Sequence, residues 1–388
     1  MTELLVKKAL ISWQEKNKPQ TANWQSEAGN PPPKNVLIAD DTTNAKVAYK
    51  QVCEGAALLY RGDFQNAKQL LQAITRKVDS KPIQPAENLT QAFHQHRARQ
   101  IQRANITNKI LIELQHGKCD LKRAPDVKDA VAGALITNAK LDKVPAKLVL
   151  SLRELLGIVG AHEWRKKGVF IDALQANIHA HHIFPHYGVY SPIRGEYLDL
   201  INQAPLNNAQ TAFDIGTGTG VIAAILVTRG IKKIIATDNS VRALNCAAEN
   251  IKKLDLTQYV ELEQANLFPA GSKKADLIVC NPPWLPAKAN APIEHAIYDP
   301  NNMMLRGFIG GVKTHLNENG EAWLILSDLA EHLGLRTNEE LQKWIADAGL
   351  QVIEKLDIAP KHAKSTDQTD PLYAARVKEI TSLYRLKI

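Results

Sequence analysis

At Asp214-Ile215-Gly216-Thr217-Gly218-Thr219-Gly220 the chain passes from a short apolar run into an apolar helical one, through three glycines in five residues. Glycine tolerates left-handed backbone and lets the main chain approach a ligand with no Cβ in the way. A strand, a glycine loop and a helix in direct succession put that loop at the carboxyl edge of a sheet, where doubly wound folds bind their ligands. The rest of the C-terminal half agrees. Apolar runs at 212–215, 233–237, 259–264, 277–280, 322–326 and 351–356 are strand candidates, with a last one near 380–386. Amphipathic or apolar stretches at 221–229, 242–254, 303–316 and 338–348 alternate with them as helices. Such alternation predicts an α/β fold, a doubly wound and mostly parallel sheet with right-handed crossovers.

A glycine-rich turn alone also fits a dinucleotide. Three features favour S-adenosylmethionine over NAD. Asp214 stands two residues before the glycines, where a carboxylate can meet an ammonium group. The spacing is GxGxG rather than GxGxxG. Asp238 ends the second strand, 24 residues after Asp214, where it can accept both ribose hydroxyls; this acid alone would suit NAD equally.

A later strand, 276–280, stops at Asn281-Pro282-Pro283-Trp284. Prolines cannot donate to a ladder, so the strand must end there in a stiff turn. Such a turn can hold the Asn281 side-chain carbonyl and the Pro282 carbonyl toward one crevice. Two acceptors suit the two hydrogens of a planar –NH2 group and leave the nitrogen lone pair aimed at a methyl donor. Trp284 offers a flat face for stacking an amide or a base. Positioning and electrostatics can then carry most of the catalysis, with no metal demanded.

These residues resemble the class I, Rossmann-like S-adenosylmethionine-dependent methyltransferases, in the branch with an (Asn/Asp)-Pro-Pro-aromatic motif. The likeness covers residues 185–388, with Trp284 where Tyr or Phe is usual. It implies that Asp214, Gly216, Thr217, Gly218 and Gly220 surround the methionine part of the cofactor. Asp238 would hold the ribose and Asn266 would reach the adenine, with Asn239 and Leu267 also at the cofactor. Asn281, Pro282, Pro283 and Trp284 would be the catalytic group. Members methylate either glutamine amides or the exocyclic amines of adenine and guanine. Tyr190-Ser191-Pro192-Ile193-Arg194-Gly195-Glu196 is similar to the Pro-Arg-x-x-(Thr)-Glu segment of the glutamine methyltransferases of release factors and ribosomal proteins, although Ile193 splits the Pro-Arg pair. Tyr190, Arg194 and Glu196 are thereby expected at the substrate, with an Arg194–Glu196 ion pair as the plain alternative.

The first half reads differently. Residues 1–200 hold 28 Lys+Arg against 19 Asp+Glu, and residues 201–388 hold 20 against 21. The surplus hints at a nucleic-acid or ribosomal partner. Helical spacing is found over 45–79 with a break at Gly62-Asp63, over a long basic stretch from 89 to 115, and over 126–140 and 145–165. Residues 1–35 read as polar and end in a Pro-Pro-Pro loop. Three segments follow: 1–165, a mainly helical basic domain suited to substrate recruitment; 166–205, a connector lining the active site; and 206–388, the methyltransferase domain.

No apolar run exceeds the seven residues from Val221 to Val227, far short of the ~20 a membrane span needs. No signal peptide is expected, because Lys7 and Lys8 interrupt the one early apolar stretch. The four cysteines form no CxxC pair, so a cytoplasmic home is expected. His179, His181, His182 and His186 are crowded, but no acid or cysteine is spaced with them as a ligand, and no metal is expected. The leading expectation is N-methylation of a glutamine side chain on a translation-related protein, possible partners being ribosomal protein or RNA. An adenine or guanine methyltransferase that flips its base onto Trp284 is the alternative. A non-catalytic S-adenosylmethionine- or RNA-binding module is a third.

Overall fold

The structure is a computed structural model that describes residues 9–135, 144–174, 181–193, 195–361 and 366–388. The chain divides into two compact units. One comprises residues 1–85 and 95–163, the other residues 86–94 and 164–388.

The first unit is built on a six-stranded sheet in the order β1-β2-β6-β5-β4-β3. Its strands are β1 (Leu10–Glu15), β2 (Lys18–Trp24), β3 (Val36–Ala39), β4 (Ala57–Tyr60), β5 (Ile110–Gln115) and β6 (Lys147–Ser151). The helices between and after them are α1 (Ala45–Cys53), α2 (Phe64–Asp79), α3 (Leu89–Thr107), α4 (Lys128–Leu135) and α5 (Leu152–Lys167). Helices hold more of these residues than strands do, as expected, yet the sheet organises the unit. Four expectations are corrected here. The first helix of the 45–79 stretch ends at Cys53, and its expected continuation is β4. The polar 1–35 stretch contains a β1–β2 hairpin. The long helix ends at Thr107, and its apolar tail is β5. The 145–165 helix starts only at Leu152, after β6. In each case the strand side chains sit in a sheet core that helical spacing did not reveal, with Ile11, Trp13, Leu59, Leu111 and Val149 packed together. Two basic residues of the expected 89–115 stretch are engaged: Arg103 of α3 pairs with Asp79 at 2.8 Å, and Lys109, after the helix, donates to the Gly55 carbonyl at 2.7 Å.

In the second unit a short antiparallel pair, β7 (Val169–Phe170) and β8 (His182–Ile183), precedes α6 (Glu196–Gln203). The main sheet then follows the expected alternation: β9 (Thr211–Ile215), α7 (Val221–Thr228), β10 (Lys233–Asp238), α8 (Val241–Lys253), β11 (Val260–Gln264) and β12 (Ala275–Cys280). It continues with α9 (Met303–His315), β13 (Leu316–Ser327), α10 (Leu329–His332), α11 (Asn338–Asp347), β14 (Gln351–Ile358), α12 (Tyr373–Arg376) and β15 (Thr381–Lys387). The strand order is β11-β10-β9-β12-β13-β15-β14. All pairings are parallel from β11 to β13, and β15 runs antiparallel to both β13 and β14.

Side chains alternate between two cores, one on each face of this sheet. Leu277, Val279, Trp323 and Ile325 face one; Ile278, Cys280, Leu324 and Leu326 face the other. This explains the seven-residue apolar run, since Val221 to Leu226 are all buried in α7. The order reverses at β9, the strand whose carboxyl end carries the glycine loop.

Candidate active site

The glycine loop is fixed by its neighbours. The N–H groups of Gly216 and Thr217 both donate to the Thr237 carbonyl, at 2.9 and 2.8 Å. The Thr237 hydroxyl in turn donates to the Leu267 carbonyl at 2.5 Å. The ends of β9 and β10 and the 266–267 loop are thus tied into one edge. Gly220 has φ +81° as the residue before α7, and a Cβ there would lie 3.3 Å from the Ala247 Cβ. Asn250 closes the arrangement from behind. Wholly buried, it donates to the Thr219 carbonyl at 3.0 Å and accepts from the Phe184 N–H at 2.8 Å. Sequence reasoning missed it; the signal was a polar residue on the buried face of α8.

Asp238 is half-buried at the end of β10. It accepts from the Gly218 N–H at 3.1 Å and the Ser240 N–H at 2.9 Å, and burial raises its carboxyl above the usual range. Asn239 and Asn266 are exposed beside it, and Leu267 is half-buried with φ +72°.

Asp214 has a structural task in addition to the expected one at the ligand. Its side chain is wholly covered. One carboxylate oxygen, Oδ2, accepts the Thr217 hydroxyl at 2.6 Å and the Ala223 N–H at 3.1 Å, so it caps α7 from beneath the loop. Burial pushes its carboxyl up to about 7; the Asp238 charge adds to this and the two hydrogen bonds oppose it. Because the folded value exceeds the ordinary one, the protonated native state is favoured. The associated stability is full below about pH 4 and is lost as pH rises toward 7, by at most about 4 kcal/mol. Asp214→Asn cannot ionise, so its melting temperature should lack this decline; thermal unfolding of both proteins from pH 5 to 8 checks it.

The remaining sites on this edge lie nearby in the register. Cys280 pairs with Ile215 across β12 and β9, so Asn281 follows β12 beside the residue that opens the glycine loop. Pro282 and Pro283 are buried, and Asn281 and Trp284 are half-buried. The Trp284 indole packs against both faces of the sheet core, and its Nε1–H donates to the Asn281 Oδ1 at 2.9 Å. Asp299, buried after this loop, accepts the N–H groups of Met304 and Leu305 at 2.9 and 3.0 Å and so caps α9.

Of the expected substrate residues, Tyr190 is exposed, Glu196 is buried in the first turn of α6, and Arg194 lies outside the described residues, as does any Arg194–Glu196 pair. His179 also lies outside them. His186 bonds Glu249 at 2.8 Å, and Lys253 pairs with that carboxylate at 3.0 Å. Burial would raise Glu249, but these partners and Arg165 bring it down to about 2. His182 meets the rings of Phe170 and Phe184. These histidines serve packing and ion pairing. Among the described residues no three His, Cys, Asp or Glu side chains are grouped to hold a metal.

Three buried oxygens along 191–214 lack a partner among the described residues: Ser191 Oγ, Glu196 Oε1 and Asp214 Oδ1. Tyr197 lies within electrostatic reach of Asp214 and Glu196. Burial raises its hydroxyl above the phenol range, and Tyr190, Asp214 and Glu196 add to the shift. Of the three oxygens, Asp214 Oδ1 lies beneath the glycine loop, and a buried open carboxylate oxygen there fits a ligand that brings donors and positive charge, as the methionine end of S-adenosylmethionine does.

Residues 197–345 match the family described as "Methyltransferase small domain". A release factor glutamine methyltransferase of Cereibacter sphaeroides is 34% identical over 143 residues, 34% of this chain and 51% of that protein. A ribosomal protein L11 methyltransferase of Alkaliphilus oremlandii is 41% identical over 71 residues, 18% of this chain and 23% of that protein. A tRNA1(Val) (adenine(37)-N6)-methyltransferase of Cytophaga hutchinsonii is 29% identical over 123 residues, 30% of this chain and 51% of that protein. The chain spans about half the length, or less, of these relatives. The likeness to the family described as "Methyltransferase small domain" is thus carried by residues 197–345, the stretch that holds both the glycine loop and the Asn281–Trp284 turn.

Proposed function

We propose that this protein is an N-methyltransferase acting on a planar –NH2 group, most simply a glutamine side chain of a translation-related protein. The observation that carries the reading is the register of β12 with β9, which sets Asn281 next to the glycine loop. When bound, S-adenosylmethionine supplies an electrophilic methyl group on a sulfonium. Asp238, Asn239, Asn266 and Leu267 would hold its nucleoside end. The glycine loop would receive the methionine end, with Glu196 as a buried acceptor and Asp214 bracing the loop from below. Asn281 and the Pro282 carbonyl would each accept one hydrogen of the target –NH2. The lone pair is then left free along the line of transfer, and Trp284 covers the plane of the amide.

The basic surplus of residues 1–200 favours a second reading, a nucleic-acid base as acceptor. S-adenosylmethionine with a labelled methyl group, added to extract from cells lacking the enzyme, separates the two. Label that survives nuclease but not protease supports the glutamine reading. Label that survives protease but not nuclease overturns it in favour of the base.

A further inference from the structure

A side-chain amide has two ends of nearly equal shape and opposite function: Oδ1 accepts, whereas Nδ2 donates. If Asn281 is to accept a hydrogen from a target –NH2, something must fix which end faces the crevice. The flipped amide would turn its own N–H groups against those of the target. A neighbour that donates and cannot accept would fix it, whereas one that does both tolerates either end.

Trp284 has this property. An indole N–H only donates, and here it donates to the Asn281 Oδ1 at 2.9 Å. The ring is half-buried and packed against both cores, so it cannot follow the amide if that turns. Phenylalanine would fill much of the same space with no donor. Tyrosine would bring a hydroxyl, which both donates and accepts and so selects neither orientation. The contact spans three residues across two buried prolines, which keep the ends of the turn at a fixed separation.

We propose that Trp284 is a positioning residue: its indole N–H selects the amide orientation in which Asn281 accepts. The inference rests on the N-methyltransferase reading above. It assigns Trp284 a task distinct from stacking, one that an aromatic ring without an N–H cannot perform.

The test is a mutant cycle, read as acid-precipitable label from S-adenosylmethionine in extract lacking the enzyme. Binding of S-adenosylhomocysteine is followed by calorimetry. Trp284→Phe should lower turnover about tenfold, the scale of one hydrogen bond, with cofactor affinity within about twofold. Asn281→Asp presents two equivalent acceptor oxygens, so no wrong orientation remains. In that background Trp284→Phe should cost less than about twofold. An equal loss in both backgrounds, or no loss in the first, overturns the proposal. If Asn281→Ala keeps full turnover, the underlying reading fails instead. Should Trp284→Phe not fold, the indole N–H resonance decides: its solvent exchange should quicken in Asn281→Ala, and unchanged exchange overturns the proposal.

Discussion

Asn281→Ala should lower turnover by about 10²-fold or more while S-adenosylhomocysteine binds within about twofold of the original affinity. The side chain ends the strand beside the glycine loop, is only half-buried and contacts the Trp284 indole. Removing it takes away one of two acceptors for the target –NH2 but leaves the loop, Asp238 and the 266–267 segment untouched. The nitrogen would still enter the crevice, held at one hydrogen instead of two, and would spend less time aligned for transfer. Single-turnover kinetics beside calorimetry separates the two quantities. A parallel fall in cofactor affinity would mean that Asn281 supports the loop rather than the acceptor.

Gly220→Val should have the largest effect on the cofactor and on stability together. Gly220 has φ +81°, where a β-branched residue is a true outlier. Its added Cβ would also lie 3.3 Å from the Ala247 Cβ and 3.4 Å from the Ala247 Cα, which the α8 backbone holds in place. The backbone conformation and the crowding together should cost about 2–4 kcal/mol. The loop relaxes by moving Gly218 and Thr219 away from Asp238 and Asn250, so cofactor affinity should fall by more than about 100-fold. Thermal unfolding and calorimetry check both; a variant with normal affinity would show that the loop does not hold the cofactor.

How far the sequence carried these conclusions depended on local punctuation. In the main sheet of the second unit glycine, proline or a helix cap stands close to most strands, and the expected boundaries agree with the structure to within a few residues. β13 is the exception, running from Leu316 rather than from 322. In the first unit that punctuation is missing. Only Asn108 and Lys109 separate α3 from β5, and α5 begins at the residue after β6, so each strand read as part of a helix. The β1–β2 hairpin turns at Lys16 and Asn17, both with positive φ, without the glycine that usually marks such a turn.

The site divides in the same way. Its residues were legible because their types are rare in combination: three glycines after an acid, two prolines after an asparagine. How they work was not. Asp214 was expected at the ligand, and the sequence did not show that its Oδ2 also braces the loop and α7 through Thr217 and Ala223. The Trp284–Asn281 bond depends on how a Pro-Pro turn folds back three residues, and the bracing by Asn250 depends on a contact 31 residues away.

Methylation at nitrogen is tested most directly by the identity of the methylated atom. Label transferred from S-adenosylmethionine into the enzyme-deficient extract is hydrolysed, and the product is identified by mass spectrometry. The expected result is a methyl group on nitrogen, formed about 10²-fold more slowly when Asn281→Ala replaces the unmodified enzyme. A methyl group on oxygen, sulfur or carbon, or the same nitrogen product with Asn281→Ala at an undiminished rate, would contradict it.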